Sequence, residues 1–326
     1  MGVVLVVGVV SRTGADVAPS LTPPWSSLPT LTALSVEIAT AASQGSLPSS
    51  VAPPTSAWSS LDTQQWTGPL APVNGCWPDT AATTVPRCEF GDRQATRTMA
   101  VIGDSQAWMW VPALDLWGVQ QHWKIRVFAK AGCSSYPLTI ERKWSDGSPF
   151  EACARFNSWT LEQLGRLRPA TIMVDTLAPV VGSHTYAATL PFEKSVATLV
   201  SEIRRFSTTV GVFSNIPYLA PPAVAAISPL CPARFPTALN HCVAQENGTG
   251  VFSPTNDAVL TYVRASLAVP VIPVDQLECA NSQCPMVVGS RLVYSDASHV
   301  NRLWASHVAR ALGDLLAKAV PAIFSH

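Results

Sequence analysis

Thr98-Met99-Ala100-Val101-Ile102-Gly103-Asp104-Ser105 is the stretch that decides how this chain is read. Thr98 to Gly103 has the apolar run of a buried strand, and the strand enters a sharp turn that carries a serine. A serine hydroxyl is a poor nucleophile until a histidine removes its proton, and the histidine needs a carboxylate to fix its tautomer. Both stand far downstream in Tyr294-Ser295-Asp296-Ala297-Ser298-His299, just ahead of an amphipathic terminal helix. Alone, Gly-Asp-Ser fits any strand-to-helix turn, and Asp-x-x-His fits a helix cap. Together, in the order Ser–Asp–His and separated by most of a domain, they mark Ser105 as nucleophile, Asp296 as orienting acid and His299 as base.

From Arg97 onward, strand and helix patterns alternate. Strands are expected at 98–103, 124–130, 170–175, 208–213 and 269–274, and helices at about 106–120, 154–167, 190–206 and 254–268. That order implies βαβ units and a mostly parallel sheet with helices on both faces, an α/β fold. Pro270 and Pro273 demote the last strand to a sheet edge. Met286–Val288 and Leu292–Tyr294, joined by Gly289-Ser290, read as a hairpin that delivers Asp296 and His299 at its exit. A final helix at about 300–318 places Leu303, Trp304, Val308, Leu312, Leu315 and Leu316 on one face. Ligands in such sheets bind beyond the carboxyl ends of the strands. Ser105, Gly132, Asp175 with Thr176, and Asn215 all follow strand ends and share that rim. Asp104 is expected to brace the nucleophile turn rather than to act as the triad acid.

The 326 residues suit one large domain with appendages, and 48% hydrophobic content suits a globular core. With 13% charged residues and zero formal net charge, the basic surplus of a nucleic-acid binder is absent. The first ten residues are apolar throughout, too short a run to span a membrane, and read as the end of a transmembrane helix. Residues 11–75, rich in Pro, Ser, Thr and Ala, read as a linker with one docking helix, Leu31 to Ala42. The catalytic domain is then 76–320. Eight cysteines, Cys76, Cys88, Cys133, Cys153, Cys231, Cys242, Cys279 and Cys284, form no Cys-x-x-Cys pair, so zinc has little support. Their even count points to disulfides and an oxidising compartment. Sequence allows about 105 connectivities, and local closure (76–88, 133–153, 231–242, 279–284) is the expected one. No Gly-rich phosphate loop or metal-ligand cluster is present, so neither cofactor nor metal is expected. Of the six histidines, only His299 has an acid at triad spacing near a helix start.

These residues together resemble the SGNH (GDSL-like) hydrolases, most closely the extracytoplasmic SGNH domain fused to family-three membrane acyltransferases of actinobacteria. The likeness runs over 74–318. It rests on Asn74-Gly75-Cys76, Cys88-Glu89-Phe90-Gly91-Asp92, Val101 to Ala107, Lys130-Ala131-Gly132-Cys133, Cys284 to Gly289, and Leu292 to His299. It implies a flavodoxin-like three-layer α/β/α fold and a serine site working on O-acyl groups of envelope glycans. It also implies an oxyanion hole built on the backbone N–H groups of Ser105 and Gly132.

Two departures stand out. Gln106 replaces the histidine usual after the serine, and Val174-Asp175-Thr176-Leu177 stands where the family's Gly-x-Asn-Asp block would supply an oxyanion donor. Gln106, Trp108, Asp175 and Thr176 are candidate substrate contacts. The resemblance implies an extracytoplasmic O-acyltransferase domain at the cell envelope, anchored at or released from the plasma membrane. Its partners would be an acyl donor, an envelope glycan or glycolipid acceptor and a membrane acyltransferase module. A carbohydrate O-acyl esterase, or a glycan-binding module with a degenerate site, are the alternatives.

Overall fold

The computed structural model describes residues 23–61, 75–136, 148–175, 180–181, 184–185, 189–216, 230–245, 253–296 and 298–324. Its central sheet comprises β1 (Glu89–Gly91), β2 (Arg97–Gly103), β3 (Trp123–Ala129), β4 (Thr171–Asp175), β5 (Thr209–Phe213) and β6 (Val271–Ile272). Their spatial order is β1-β3-β2-β4-β5-β6. All neighbours run parallel except β1, which pairs antiparallel with β3. The α-helices of five or more residues are α1 (Leu31–Ala41), α2 (Ser105–Met109), α3 (Val111–Gln121), α4 (Glu151–Leu167), α5 (Thr189–Ile203), α6 (Ser253–Leu267), α7 (Arg302–His307) and α8 (Ala309–Ala319).

Strand alternation divides the interior into two cores. Met99, Val101, Ile125, Val127, Met173 and Phe213 face one side, where Leu114, Leu312 and Leu316 of α3 and α8 cover them. Ala100, Ile102, Phe128, Ile172, Val174 and Val212 face the other, under Leu164, Val200 and Val263 of α4, α5 and α6. This is the three-layer α/β arrangement expected of the alternating pattern.

The structure departs from the sequence reading in several elements. The helix expected over 106–120 breaks at Trp110 (φ −86°, ψ −7°), with Pro112 in the first turn of α3. Proline lacks the N–H that a continuous helix needs and fits only such a first turn. The terminal helix likewise breaks at Val308 (φ −88°, ψ 8°). Trp304, Val308 and Leu312 stay buried on one face, so the apolar period runs through the break and hides it. The last strand shrinks to Val271–Ile272, bounded by the two prolines. The hairpin pairs Val287 with Leu292 and Val288 with Arg291 around Gly289-Ser290, and Gly289 takes φ +56°.

Helix α1 docks on the domain through buried Leu34, Ile38 and Ala41. Thr30 caps it, accepting from the Ala33 N–H, and the Leu31 N–H donates to Asp314 Oδ2 at 2.8 Å. Glu37 Oε2 meets His307 Nε2 at 3.1 Å. The chain then follows the hairpin: Ala52 bridges Arg291, and Trp58 and Leu61 share a small core with Val287 and Leu292. Contact with the domain therefore extends well past the one helix. Among the described residues no helix is long and apolar enough to cross a membrane; the apolar first ten lie outside them.

Four disulfides close locally: Cys76–Cys88, Cys133–Cys153, Cys231–Cys242 and Cys279–Cys284. The second pins the start of α4 to the segment after β3. The fourth closes the loop that feeds the hairpin.

Gly103 sits where β2 meets β4. A Cβ there would lie 1.8 Å from the Asp175 carbonyl oxygen and 2.6 Å from Ala107 Cβ. Neither obstacle is the end of a flexible side chain, so Gly103→Ala is expected to cost ~2 kcal/mol or more. Chemical denaturation of variant and parent checks this; equal midpoints would contradict it.

Candidate active site

β2 is the central strand from which the chain leaves in opposite directions, toward β3 on one side and β4 on the other. The crevice beyond its carboxyl end is a topological switch point, where open α/β sheets place their ligands. Ser105 begins α2 at that point. Asp104 makes the turn: its Oδ1 accepts the Gln106 N–H at 2.8 Å, and its own N–H reaches the Asp175 carbonyl at 3.4 Å. Asp104 thus braces the Ser105 turn, as its place before the serine led us to expect.

The second half of the site hangs from the hairpin exit. Tyr294 bridges Val300, and the Ser295 N–H donates to the His299 carbonyl at 2.9 Å, pinching Ser295 to His299 into a tight loop. Within it Asp296 Oδ1 accepts the Ser298 N–H at 2.7 Å. His299 Nδ1 lies 2.7 Å from Asp296 Oδ2 and 2.9 Å from Oδ1. Facing a carboxylate, Nδ1 carries the proton, which makes Nε2 the basic nitrogen. Burial pushes the Asp296 carboxyl up, but the charge and hydrogen bond of His299, with the bonds from Ser298, outweigh it and hold it below the usual range. The cap of α7 is Asn301, whose side chain accepts the Leu303 N–H at 2.8 Å, so Asp296 is not spent on capping.

Gln106 joins the two halves. Its Nε2 donates to the Ser298 carbonyl at 2.9 Å, linking the residue after Ser105 to the residue before His299. Gly132 lies on the same rim, exposed and at φ +61°, in the turn after β3. That turn is anchored by the Lys130 N–H donating to the Gly103 carbonyl at 3.2 Å.

The other candidates are placed differently from a substrate-facing rim. Gln106 and Trp108 are fully buried. Trp108 packs in an aromatic cluster, 5.6 Å from Trp77 and 6.0 Å from Phe90 between ring centroids, so it offers no face to a sugar. Asp175 is 1% exposed, and among the described residues neither carboxyl oxygen has a hydrogen-bond partner. Thr176 lies outside the described residues.

Two buried titratable side chains near the rim were not singled out as site residues by the sequence. Lys130 is fully buried; its Nζ donates to the Asp79 carbonyl at 2.5 Å, and burial draws its ammonium below the usual lysine range. Glu278 is fully buried beside Cys279. Burial pushes its carboxyl well up against the opposing hydrogen bond from Tyr294, with Asp275 and Asp175 adding to the rise. Asp175 is likewise pushed well up, by burial first and then by Asp104.

Comparison with known proteins bears on this geometry. Residues 75–314 match the model of the SGNH domain fused to AT3 domains. The chain belongs to that family. Among solved structures it is similar to the periplasmic domain of a lipopolysaccharide acetyltransferase from Salmonella ser. Paratyphi A. That likeness has 14% identity and a TM-score of 0.53, and covers 68% of this chain and 84% of that one. A family two carbohydrate esterase from Clostridium thermocellum gives 12% identity and a TM-score of 0.42, over 70% of this chain and 65% of that one. The carbohydrate acetylesterase Est24 of Sinorhizobium meliloti gives 11% and 0.42, over 68% and 99%. At these identities the similarity speaks to the fold, and the first of the three carries it. No protein among the curated sequences matches the chain.

The raised Asp175 carboxyl has a thermodynamic consequence. A folded-state pKa above the unfolded value means the native state holds the proton more tightly. The stability this contributes is full below the unfolded pKa, about 3.9, and is lost as pH rises through the folded value. His307, drawn down by burial, works oppositely below about 6.5, but equally in parent and variant. Asp175→Asn should therefore gain stability relative to the parent as pH rises from about 5 to about 8. Thermal unfolding across that range reads the difference; a gap independent of pH would contradict a buried neutral carboxyl.

Proposed function

We propose that this chain is an extracytoplasmic O-acyltransferase domain that carries an acetyl or other short acyl group on Ser105. The acyl group passes to a hydroxyl of a cell-envelope glycan or glycolipid. The observation that carries this reading is the Asp296–His299 pair at 2.7 Å, tied to the Ser105 turn by the Gln106 bridge. Membership of a family fused to AT3 domains supports a membrane acyltransferase module as the source of the acyl group. Four disulfides support an oxidising compartment outside the cytoplasm.

In this reading His299 Nε2 takes the Ser105 proton as Oγ attacks the donor carbonyl. The tetrahedral oxyanion is met by the backbone N–H groups of Ser105 and Gly132, each such donor being worth about 10²–10³ in rate. His299 returns the proton to the leaving group, leaving acyl-Ser105. A glycan hydroxyl then gives its proton to His299 and attacks the ester carbonyl, and the imidazolium returns that proton to Ser105 Oγ as the acyl–serine bond breaks. Asp296 holds the imidazole tautomer and stabilises the imidazolium at both steps.

Transfer and hydrolysis share the acyl-serine and differ in which nucleophile reaches it. A sugar hydroxyl held at the rim has the advantage of proximity over bulk water. With an activated acyl donor, turnover should rise when a suitable envelope glycan is added, and mass-resolved products should include acylated glycan. Ser105→Ala and His299→Ala should each lower the rate by ~10³-fold or more, with Asp296→Asn strongly reduced. Only free acid across a panel of glycans, with the membrane module supplied, would replace this reading by a carbohydrate esterase. Full activity in His299→Ala would remove the serine mechanism altogether.

A further inference from the structure

We propose that Gln106 is a positioning residue: its carboxamide holds the His299 loop in register with the Ser105 turn. This rests on the acyl-serine reading above. Residue 106 is fully buried, so its side chain meets protein rather than substrate. Its backbone N–H is spent on Asp104 Oδ1 at 2.8 Å, which fixes where the side chain starts. Its Nε2 then crosses to the Ser298 carbonyl at 2.9 Å, 192 residues away in sequence. Ser298 in turn donates its N–H to Asp296 Oδ1 at 2.7 Å and immediately precedes His299. One carboxamide therefore sets the height of both Asp296 and His299 relative to Ser105.

The second observation is that the Gln106 carboxamide is only half satisfied. Gln106 Oε1 is buried and has no hydrogen-bond partner among the described residues. An orphaned buried acceptor destabilises the fold; an apolar side chain of similar length removes that penalty but also takes the donor from the half-buried Ser298 carbonyl, so the two effects oppose each other. Activity should thus fall on substitution with little change in stability, which a merely structural glutamine would not produce.

The test uses the whole chain with p-nitrophenyl acetate as donor. Gln106→Met is expected to unfold within a few degrees of the parent, with kcat at least tenfold lower and KM within twofold. Gln106→Glu supplies an independent readout, because a carboxylate cannot donate to the Ser298 carbonyl whereas the neutral acid can. Its activity relative to the parent should climb as pH falls from 8 to 5.5. Asp104, which accepts this residue's own N–H, and Asp296 and His299, in the loop that it bonds, are present in both enzymes, and their own titrations largely cancel in the ratio. A Gln106→Met enzyme with parental kcat would overturn the proposal, as would a Gln106→Glu ratio flat in pH should Gln106→Met not fold. Ser105→Ala run alongside separates the two ideas. If it is inactive while Gln106→Met is fully active, only the role of Gln106 fails. If it retains turnover, the acyl-serine reading fails first.

Discussion

The Nδ1–H of His299 donates to Asp296 Oδ2 across 2.7 Å, and much of the surrounding structure keeps that contact at the mouth of β2. A histidine and an acid three residues apart do not meet by themselves in a flexible loop; ordering the chain that joins them costs conformational entropy. Here the cost is met by local fixtures. Tyr294 and Val300 close the neck, Ser295 and Ser298 bond within the loop, and Asn301 starts the next helix immediately behind it. Upstream, the Cys279–Cys284 disulfide and the hairpin turn at Gly289 deliver the chain to the same place.

The Ser105 half is built on a different principle, close backbone approach. Gly103 lets β2 lie against the Asp175 carbonyl, Asp104 folds its carboxylate over the following N–H, and α2 starts without a spare residue. The crowding has a consequence for charge. Asp175 and Glu278 sit where water does not reach, and burial pushes both carboxyls well above the usual range. Lys130, buried on the same rim, is spent on a backbone carbonyl and stacks over Phe150 at 5.3 Å. The floor of the crevice is thus polar in composition and closed to solvent. Around it Ser105, Asp296 and His299 are half-buried and Gly132 is exposed.

What sequence showed and what it hid follow from range. Period-two burial and Gly/Pro punctuation are local, so the five principal strands, their parallel order and the two-residue hairpin turn were legible. Cysteines close in sequence pair by proximity, and the four local bridges follow that logic. The helix breaks at Trp110 and Val308 were hidden because apolar periodicity continues through both. β1, only three residues long, is defined by its antiparallel partner β3 rather than by any pattern of its own. Gln106 and Trp108 looked like rim residues because they follow the serine. Their burial depends on elements distant in sequence, the Ser298 carbonyl for one and Trp77 with Phe90 for the other. Nothing local marks Glu278 and Lys130 as buried; only the folded chain shows that they are enclosed. Likewise a Pro- and Ser-rich stretch reads as linker by composition, yet Trp58 and Leu61 find a core on the hairpin.

The central claim is that Ser105, activated by His299 under the control of Asp296, forms a covalent acyl intermediate. Labelling with an organophosphonate, followed by peptide mapping, tests it without assuming donor or acceptor. The predicted result is one label per chain on the peptide carrying Ser105, lost in Ser105→Ala and greatly slowed in His299→Ala. An unlabelled protein, or a label that persists undiminished in His299→Ala, would contradict it.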